Sequence, residues 1–239
     1  MPTPSFHPSN LPTPLMKIIC IGQNYLEHIK ELNSAIPDEP VFFMKPDTAL
    51  LLDNKPFYLP DFSNDIHHEV EIVLKINKVG KNVAEEFAHK YYEEITVGID
   101  FTARDIQKQQ KTKGLPWEKA KSFDFSAPVG KFVSKTRFIN AKKEGWKDGS
   151  VDASNSFQSS NLPPLNFHLD INGKTVQKGN TSDLLFSFDK VIAFLSKFVT
   201  LKIGDMIYTG TPVGVGPVKI GDKLEAYLEG EKLLAFEVK

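Results

Sequence analysis

Hydrophobic and polar residues alternate most regularly over 67–76, HHEVEIVLKI. A repeat of two predicts a strand with Val70, Ile72, Leu74 and Ile76 on one face and His67, Glu69, Glu71 and Val73 on the other. Shorter apolar runs predict strands at 17–21, in VFFMKP, at 50–52, over ITVGIDF (95–101), and in KFVSK, FHLDING, TLKIGDMIYTGTP, DKLEAYLEG and KLLAFEVK. Turn-forming pairs separate the later ones: Asn172-Gly173, Gly204-Asp205, Gly221-Asp222 and Gly230-Glu231. Helical text is confined to four stretches. YLEHIKEL (25–32) follows Asn24 as a prospective N-cap, and VAEEFAHKYYEE covers 83–94. ARDIQKQQK follows a capping Thr102 with Asp105 in a box-like cap, and DLLFSFDKVIAFLSKF spans 183–198. Many short strands with few helices predict a β-rich α+β fold, with 16–239 as a single domain. Residues 1–15 hold five prolines and little to bury, which reads as a flexible tail. Residues 145–161 are rich in Ser, Asn, Asp and Gly, which reads as a surface loop.

Composition narrows the function classes. The chain has 239 residues, 29 basic against 30 acidic, for a formal net charge of −1. Without a basic block, binding to nucleic acid through phosphate neutralisation is not expected. A single cysteine, Cys20, excludes a disulfide scaffold and any Cys-rich zinc or iron–sulfur site. No apolar run approaches the roughly 18–20 residues that span a bilayer, so no membrane partner is expected. The start lacks the apolar core of a secretory signal, and a cytoplasmic location is the expectation.

Three carboxylates stand where apolar patterning argues against them. Glu69 and Glu71 project from one face of the 67–76 strand, roughly 7 Å apart. Asp100 lies inside ITVGIDF, where a buried, unpartnered carboxylate is costly. If the two strands pair, the three acids converge and repel, and a divalent cation removes that repulsion. An all-oxygen donor set favours Mg²⁺, Mn²⁺ or Ca²⁺ over Zn²⁺. Two alternatives stay open: Glu69 and Glu71 on the wet face of an edge strand paired to lysines, or a histidine-rich site built on His67, His68 and His168. On the first predicted helix, His28 and Glu31 sit one turn apart on one face. Arg104 and Gln107 do the same on the helix after Thr102, with Lys111 a turn beyond.

Six segments in this order resemble the fumarylacetoacetate hydrolase superfamily, in its small acylpyruvase/oxaloacetate decarboxylase branch. They are GQNYLEHIKE, FMKP, HHEVEIV, GIDFTARD, KGLPWEKAKSFDFSAPVG and TGTPVGVGPV. The resemblance runs from Lys17 to the C-terminus and implies a roll of mixed β-sheets with few short helices, assembled as a homodimer. It implies Glu69, Glu71 and Asp100 as ligands of Mg²⁺ or Mn²⁺. It makes His28 and Glu31 a catalytic pair on a lid helix (about 24–32), and Lys121 a lysine reaching into the site. Arg104, Gln107 and Thr211 are implied to bind a small 2-oxo acid. In this reading His28 acts as general base near neutral pH and Glu31 fixes its tautomer. Lys121 steadies the oxyanion as a point charge. The first expected activity is metal-dependent hydrolytic C–C cleavage of 3-acylpyruvates, such as fumarylpyruvate or acetylpyruvate, to pyruvate and a carboxylic acid. Alternatives are decarboxylation of oxaloacetate, isomerisation/decarboxylation of 2-hydroxyhepta-2,4-diene-1,7-dioate, or a catalytically silent module that binds 2-oxo acids. The chain departs from the pattern at Gln23, where relatives often carry Arg, and in the 145–161 stretch, which looks longer than in compact members.

Overall fold

A six-stranded mixed sheet organises the molecule. The computed structural model describes residues 16–145 and 162–239, so the proline-rich tail and nearly all of the predicted 145–161 loop lie outside the described residues. With strands and helices numbered in chain order, the sheet runs β2 (Val41–Lys45), β1 (Ile18–Gly22), β12 (Met206–Tyr208), β5 (Val70–Ile76), β6 (Tyr92–Ile99) and β9 (Val133–Ser134). Within this sheet only β1 and β12 pair in parallel. A four-stranded antiparallel sheet follows, in the order β11 (Lys174–Asn180), β10 (Asn166–Ile171), β14 (Lys223–Leu228) and β15 (Glu231–Glu237). Its first hairpin turns on Asn172 and Gly173, both at positive φ, as the Asn-Gly pair predicts. A three-stranded ribbon of β13 (Gly216–Pro217), β4 (Ile66–His68) and β7 (Thr102–Ala103), and a parallel pair of β3 (Leu50–Leu51) and β8 (Ala127–Pro128), complete a β-rich α+β fold.

Both faces of β5 are buried. Val70, Ile72, Leu74 and Ile76 join the main core with Ile19, Ile21 and the inner face of helix α6 (Phe188–Phe198). That helix buries Phe188, Val191, Ile192 and Leu195 at the spacing of one helical stripe. On the opposite face Val73 packs with Ile18, Cys20 and Tyr208 in a second cluster. Glu71 shares that second face, so the wet-edge alternative for the two glutamates fails.

Tertiary packing redraws several predicted boundaries. The 67–76 strand is broken at Glu69, between β4 and β5. The 83–94 helix shrinks to one turn, α2 (Glu85–Ala88), because Tyr92 is fully buried and pairs with Ile76 as the start of β6. The 183–198 helix begins only at Phe188, where the Ser187 hydroxyl accepts the Lys190 N–H. Asn24 does not cap the first helix, α1 (Leu26–Glu31). Its buried carboxamide instead donates to Phe186 O and Thr209 O and accepts from Phe186 N, cross-linking three segments. Thr102 lies in β7 instead of capping helix α3 (Arg104–Lys113), and Asp105 accepts from Ser63, Asn64 and Ile106. Among the described residues no helix is long and apolar enough to cross a membrane.

Candidate active site

The site forms where the β4–β5 break meets the end of β6. Glu69 sits in the break between β4 and β5, and Asp100 immediately follows β6. The Asp100 N–H donates to Glu69 O (2.8 Å), so backbone pairing alone brings the two acids together. Glu71 projects from β5 opposite Gly98 of β6. One oxygen from each of the three carboxylates lies within 4.8 Å of the others, and all three residues are buried.

Three cationic side chains face the trio. Arg104, at the start of α3, reaches Glu69 Oε1 (2.5 Å), and its other terminal nitrogen donates to Gln107 Oε1 (2.6 Å). Lys121 ends the short helix α4 (Glu118–Lys121). Its ammonium lies 2.7 Å from Glu69 Oε2 and 2.6 Å from Asp100 Oδ2. Lys45, the last residue of β2, closes the site from beneath. Its ammonium lies 2.9 Å from Asp100 Oδ1 and donates to Lys121 O, Ser126 O and Ser126 Oγ. Lys121 is therefore no solvated lysine. It is nearly as buried as the acids it touches.

Compensation is uneven across the trio. Burial works against ionisation of Glu69, but Lys121 and Arg104 outweigh it and hold that carboxyl well below the usual range. Glu71 goes the other way: burial, then the Asp100 and Glu69 charges, push its carboxyl well up. Among the described residues it touches no cationic side chain and accepts only the Gly210 N–H, at 2.7 Å. Gly210 is at φ +104°, and a Cβ there would meet Asn24 Cβ at 2.7 Å, so the donor to Glu71 depends on glycine. A buried acid left short of positive charge, beside two others offering oxygens at this spacing, suits a hard divalent cation. The donor set thus fits the metal that the sequence suggests, although Lys121 already occupies the bay between Glu69 and Asp100.

Helix α1 covers the pocket. His28, expected at the surface if it had no function, is 5% exposed and lines the same pocket as the carboxylates. Its Nδ1 lies 2.9 Å from Glu31 Oε2, and Glu31 Oε1 accepts the Gly214 N–H at 3.1 Å. With Nδ1 donating to a carboxylate, Nε2 is the nitrogen left as acceptor. Thr211 lines the pocket as well, but its hydroxyl proton goes to Val70 O (2.8 Å) while the oxygen accepts Gln177 Nε2 (2.9 Å). Gln177 is fully buried, and its oxygen also receives the Val70 N–H and pairs with His68 Nδ1. His68 is thus spent on Gln177, His67 pairs with Asp65, and His168 stacks on Tyr227. The histidine-rich alternative gathers no cluster among the described residues. Sequence reasoning missed the buried Lys45, Ser126 and Gln177 that support the site, and Phe43 and Trp117, which line its pocket.

Comparison with known proteins places this geometry in a family. Residues 17–239 match the model described as fumarylacetoacetate (FAA) hydrolase, C-terminal. The chain belongs to the fumarylacetoacetate hydrolase family. It is 39% identical to an Escherichia coli oxaloacetate tautomerase over 220 residues, covering 92% of this chain and 91% of that one. A mitochondrial oxaloacetate tautomerase of Mus musculus is 38% identical over 222 residues, 93% of this chain and 91% of its own. A solved fumarylpyruvate hydrolase from Pseudomonas aeruginosa, in complex with Mn²⁺ and pyruvate, superposes with a TM-score of 0.78 at 29% identity, covering 98% of this chain and 94% of that one. Family members are enzymes acting on oxo acids, and the buried acidic trio together with the Mn²⁺ complex supports use of a divalent metal here. Tautomerisation was not among the activities anticipated from sequence.

Proposed function

We propose that this protein is a divalent-metal-dependent enzyme that moves a proton at C3 of a small 2-oxo acid, with keto–enol interconversion of oxaloacetate as its reaction. The His28–Glu31 pair over the Glu69, Glu71 and Asp100 trio carries this reading. With helix α1 in place the free space between these groups has room for only a water or two, so even a small 2-oxo acid enters only as α1 moves aside. Glu69, Glu71 and Asp100 hold the metal, of the Mg²⁺, Mn²⁺ or Ca²⁺ class. When bound, such an ion supplies Lewis-acid stabilisation of negative charge on the 2-oxo oxygen.

The protein's own groups do the rest. In the keto-to-enol direction His28 Nε2 takes the C3 proton and a proton is delivered to the 2-oxo oxygen, the reverse direction moving it back to C3. Glu31 meanwhile keeps the proton on Nδ1 in place and stabilises the imidazolium. Arg104 and Lys121 bind the 2-oxo-acid head by charge, with Gln107 fixing the guanidinium plane. Thr211, its hydroxyl proton committed to Val70 O, forms wall instead of supplying a hydroxyl donor. Helix α1 acts as the lid, and the enzyme works as a homodimer, which light scattering of the purified protein reads directly.

Hydrolysis of 3-acylpyruvates is the second reading, favoured by the Mn²⁺- and pyruvate-bound fumarylpyruvate hydrolase. The same His28 then activates water for attack on the distal carbonyl. One assay separates the two. The Mg²⁺-loaded protein is mixed with oxaloacetate, acetylpyruvate and fumarylpyruvate, enol absorbance is followed, and pyruvate is quantified. Accelerated loss of oxaloacetate enol without pyruvate supports tautomerisation. Pyruvate released in step with the carboxylic acid from an acylpyruvate supports hydrolysis. No reaction with any of the three, in protein shown to bind the metal, overturns both.

A further inference from the structure

The inner cations of the pocket, Arg104 and Lys121, are paired with carboxylates, and one cation at its mouth is not. Lys111, in the last turn of α3, lies on the helix face of Arg104 and Gln107 and lines the same pocket. No carboxylate lies within ion-pair distance of it among the described residues. Its ammonium instead sits 5.7 Å from the centre of the Trp117 ring. Trp117 meets Phe43 edge-on at 5.9 Å, and the Phe43 ring lies 5.2 Å from the Lys121 ammonium. A wall of two aromatic rings therefore runs from the inner, paired ammonium to the outer, unpaired one. The wall is seated on the backbone, since a Cβ on Gly22 would stand 3.4 Å from the indole.

Lys111 also feels the site's field. Partial burial, then repulsion from Arg104 and Lys121, hold its ammonium below the usual lysine range against the attraction of Glu69. An uncompensated cation on a flexible stem, beside low-dielectric walls, favours an anionic group at the pocket mouth.

We propose that Lys111 binds the distal carboxylate of a dicarboxylic 2-oxo acid, lying along the Phe43–Trp117 wall, and so selects dicarboxylates over 2-oxo acids with neutral tails. This rests on the reading of the pocket as a 2-oxo-acid site and names which members of that class it prefers. The test compares oxaloacetate with 2-oxobutanoate, which carries a methyl in place of the distal carboxylate. Binding to the Mg²⁺-loaded protein is followed by stopped-flow tryptophan fluorescence, before turnover accumulates. The wild type is expected to bind oxaloacetate at least tenfold more tightly. Lys111→Met removes about tenfold from the oxaloacetate affinity and changes that for 2-oxobutanoate less than twofold, whereas Lys111→Arg retains the preference. The preference also shrinks as salt is raised. Equal losses for both acids in Lys111→Met, or no loss for either, overturn the role of Lys111 while leaving the pocket assignment standing. Binding of neither acid to the wild type overturns the pocket reading itself, and the Lys111 role with it. Charge-selective binding without turnover of oxaloacetate upholds Lys111 and refutes the proposed reaction.

Discussion

Replacing Glu71 by Gln tests whether the carboxylate trio is built around a missing positive charge. Glu71 is buried, receives among the described residues only the Gly210 N–H, and faces two other carboxylates within 4.8 Å. At an effective dielectric of about 20, like charges at that spacing repel by about 3 kcal/mol. Attraction from Lys121 offsets part of this, so Glu71→Gln is expected to stabilise the metal-free protein at pH 8 by about 2 kcal/mol. For a chain of this size that corresponds to a rise of about 4–8 °C in Tm. The pH dependence has a definite sign. Glu71 is held above the ordinary carboxyl value, so the folded state keeps its proton to higher pH than the unfolded chain does. The stability contributed this way is full below about pH 4.3 and is lost as pH rises through the raised value. The advantage of the glutamine variant in chelator should therefore grow from acid toward pH 8. Saturating Mg²⁺ or Mn²⁺ reverses the order. At a hundredfold excess over Kd the wild type gains about 2.7 kcal/mol, and the variant, lacking one ligand, is expected to gain less than the roughly 0.7 kcal/mol that would keep it ahead. Thermal unfolding across pH, with chelator and with metal, reads all of this. A variant that melts below wild type in chelator at pH 8, or pH profiles that superimpose, would refute the reasoning.

Other perturbations probe separate parts of the site. His28→Gln should lower turnover by at least a hundredfold, as loss of a general base does, yet leave the metal-induced rise in Tm intact. A matching loss of that rise would make His28 structural. Lys45→Met leaves Asp100 without its lower cation and frees Lys121 O and Ser126 O, so urea unfolding should show a loss of about 3–5 kcal/mol. Gln177→Leu strips partners from Val70 N, His68 Nδ1 and Thr211, and should cost about 3 kcal/mol by the same measurement. Gly98→Ala places a Cβ 2.7 Å from the Tyr208 ring and 2.9 Å from Pro128 O, so it should destabilise by about 2 kcal/mol or more. A neutral result there would mean that β6 shifts freely against β5.

The parts of this architecture written in local periodicity were legible, and those that depend on a distant partner were not. Alternation located β5 and its inner face, and the cost of an unpartnered acid inside ITVGIDF singled out Asp100 before any contact was known. Gathering Glu69 with Asp100 followed from pairing β5 with β6. Lys45 illustrates the opposite case. A lysine ending an edge strand, just before Pro46, carries the same local signal whether its ammonium meets water or Asp100. Gln177 lies on β11, a strand whose polar text (KTVQKGN) shows no apolar alternation, and only its position beside Val70 and Thr211 gives the amide its work. The 83–94 misreading has the same origin, since Tyr91 and Tyr92 fit a helix as text, and only pairing with Ile76 commits Tyr92 to a strand.

The asymmetry in how α1 is anchored has a mechanical consequence. At its root the Asn24 carboxamide makes three buried hydrogen bonds, to the chain at Phe186 and Thr209. At its tip the contact to the loop after Thr211 is one exposed bond, Gly214 N–H to Glu31 Oε1. The polar anchoring of α1 is thus firm at its root and slight at its tip, with the buried Ile29 adding apolar packing. Opening the helix would break the Gly214–Glu31 bond, worth about 1 kcal/mol, would also lift the buried Ile29 from its packing, and would carry His28 away from the carboxylates. In the proposed reaction, access to the pocket and placement of the His28–Glu31 pair would then be one and the same movement.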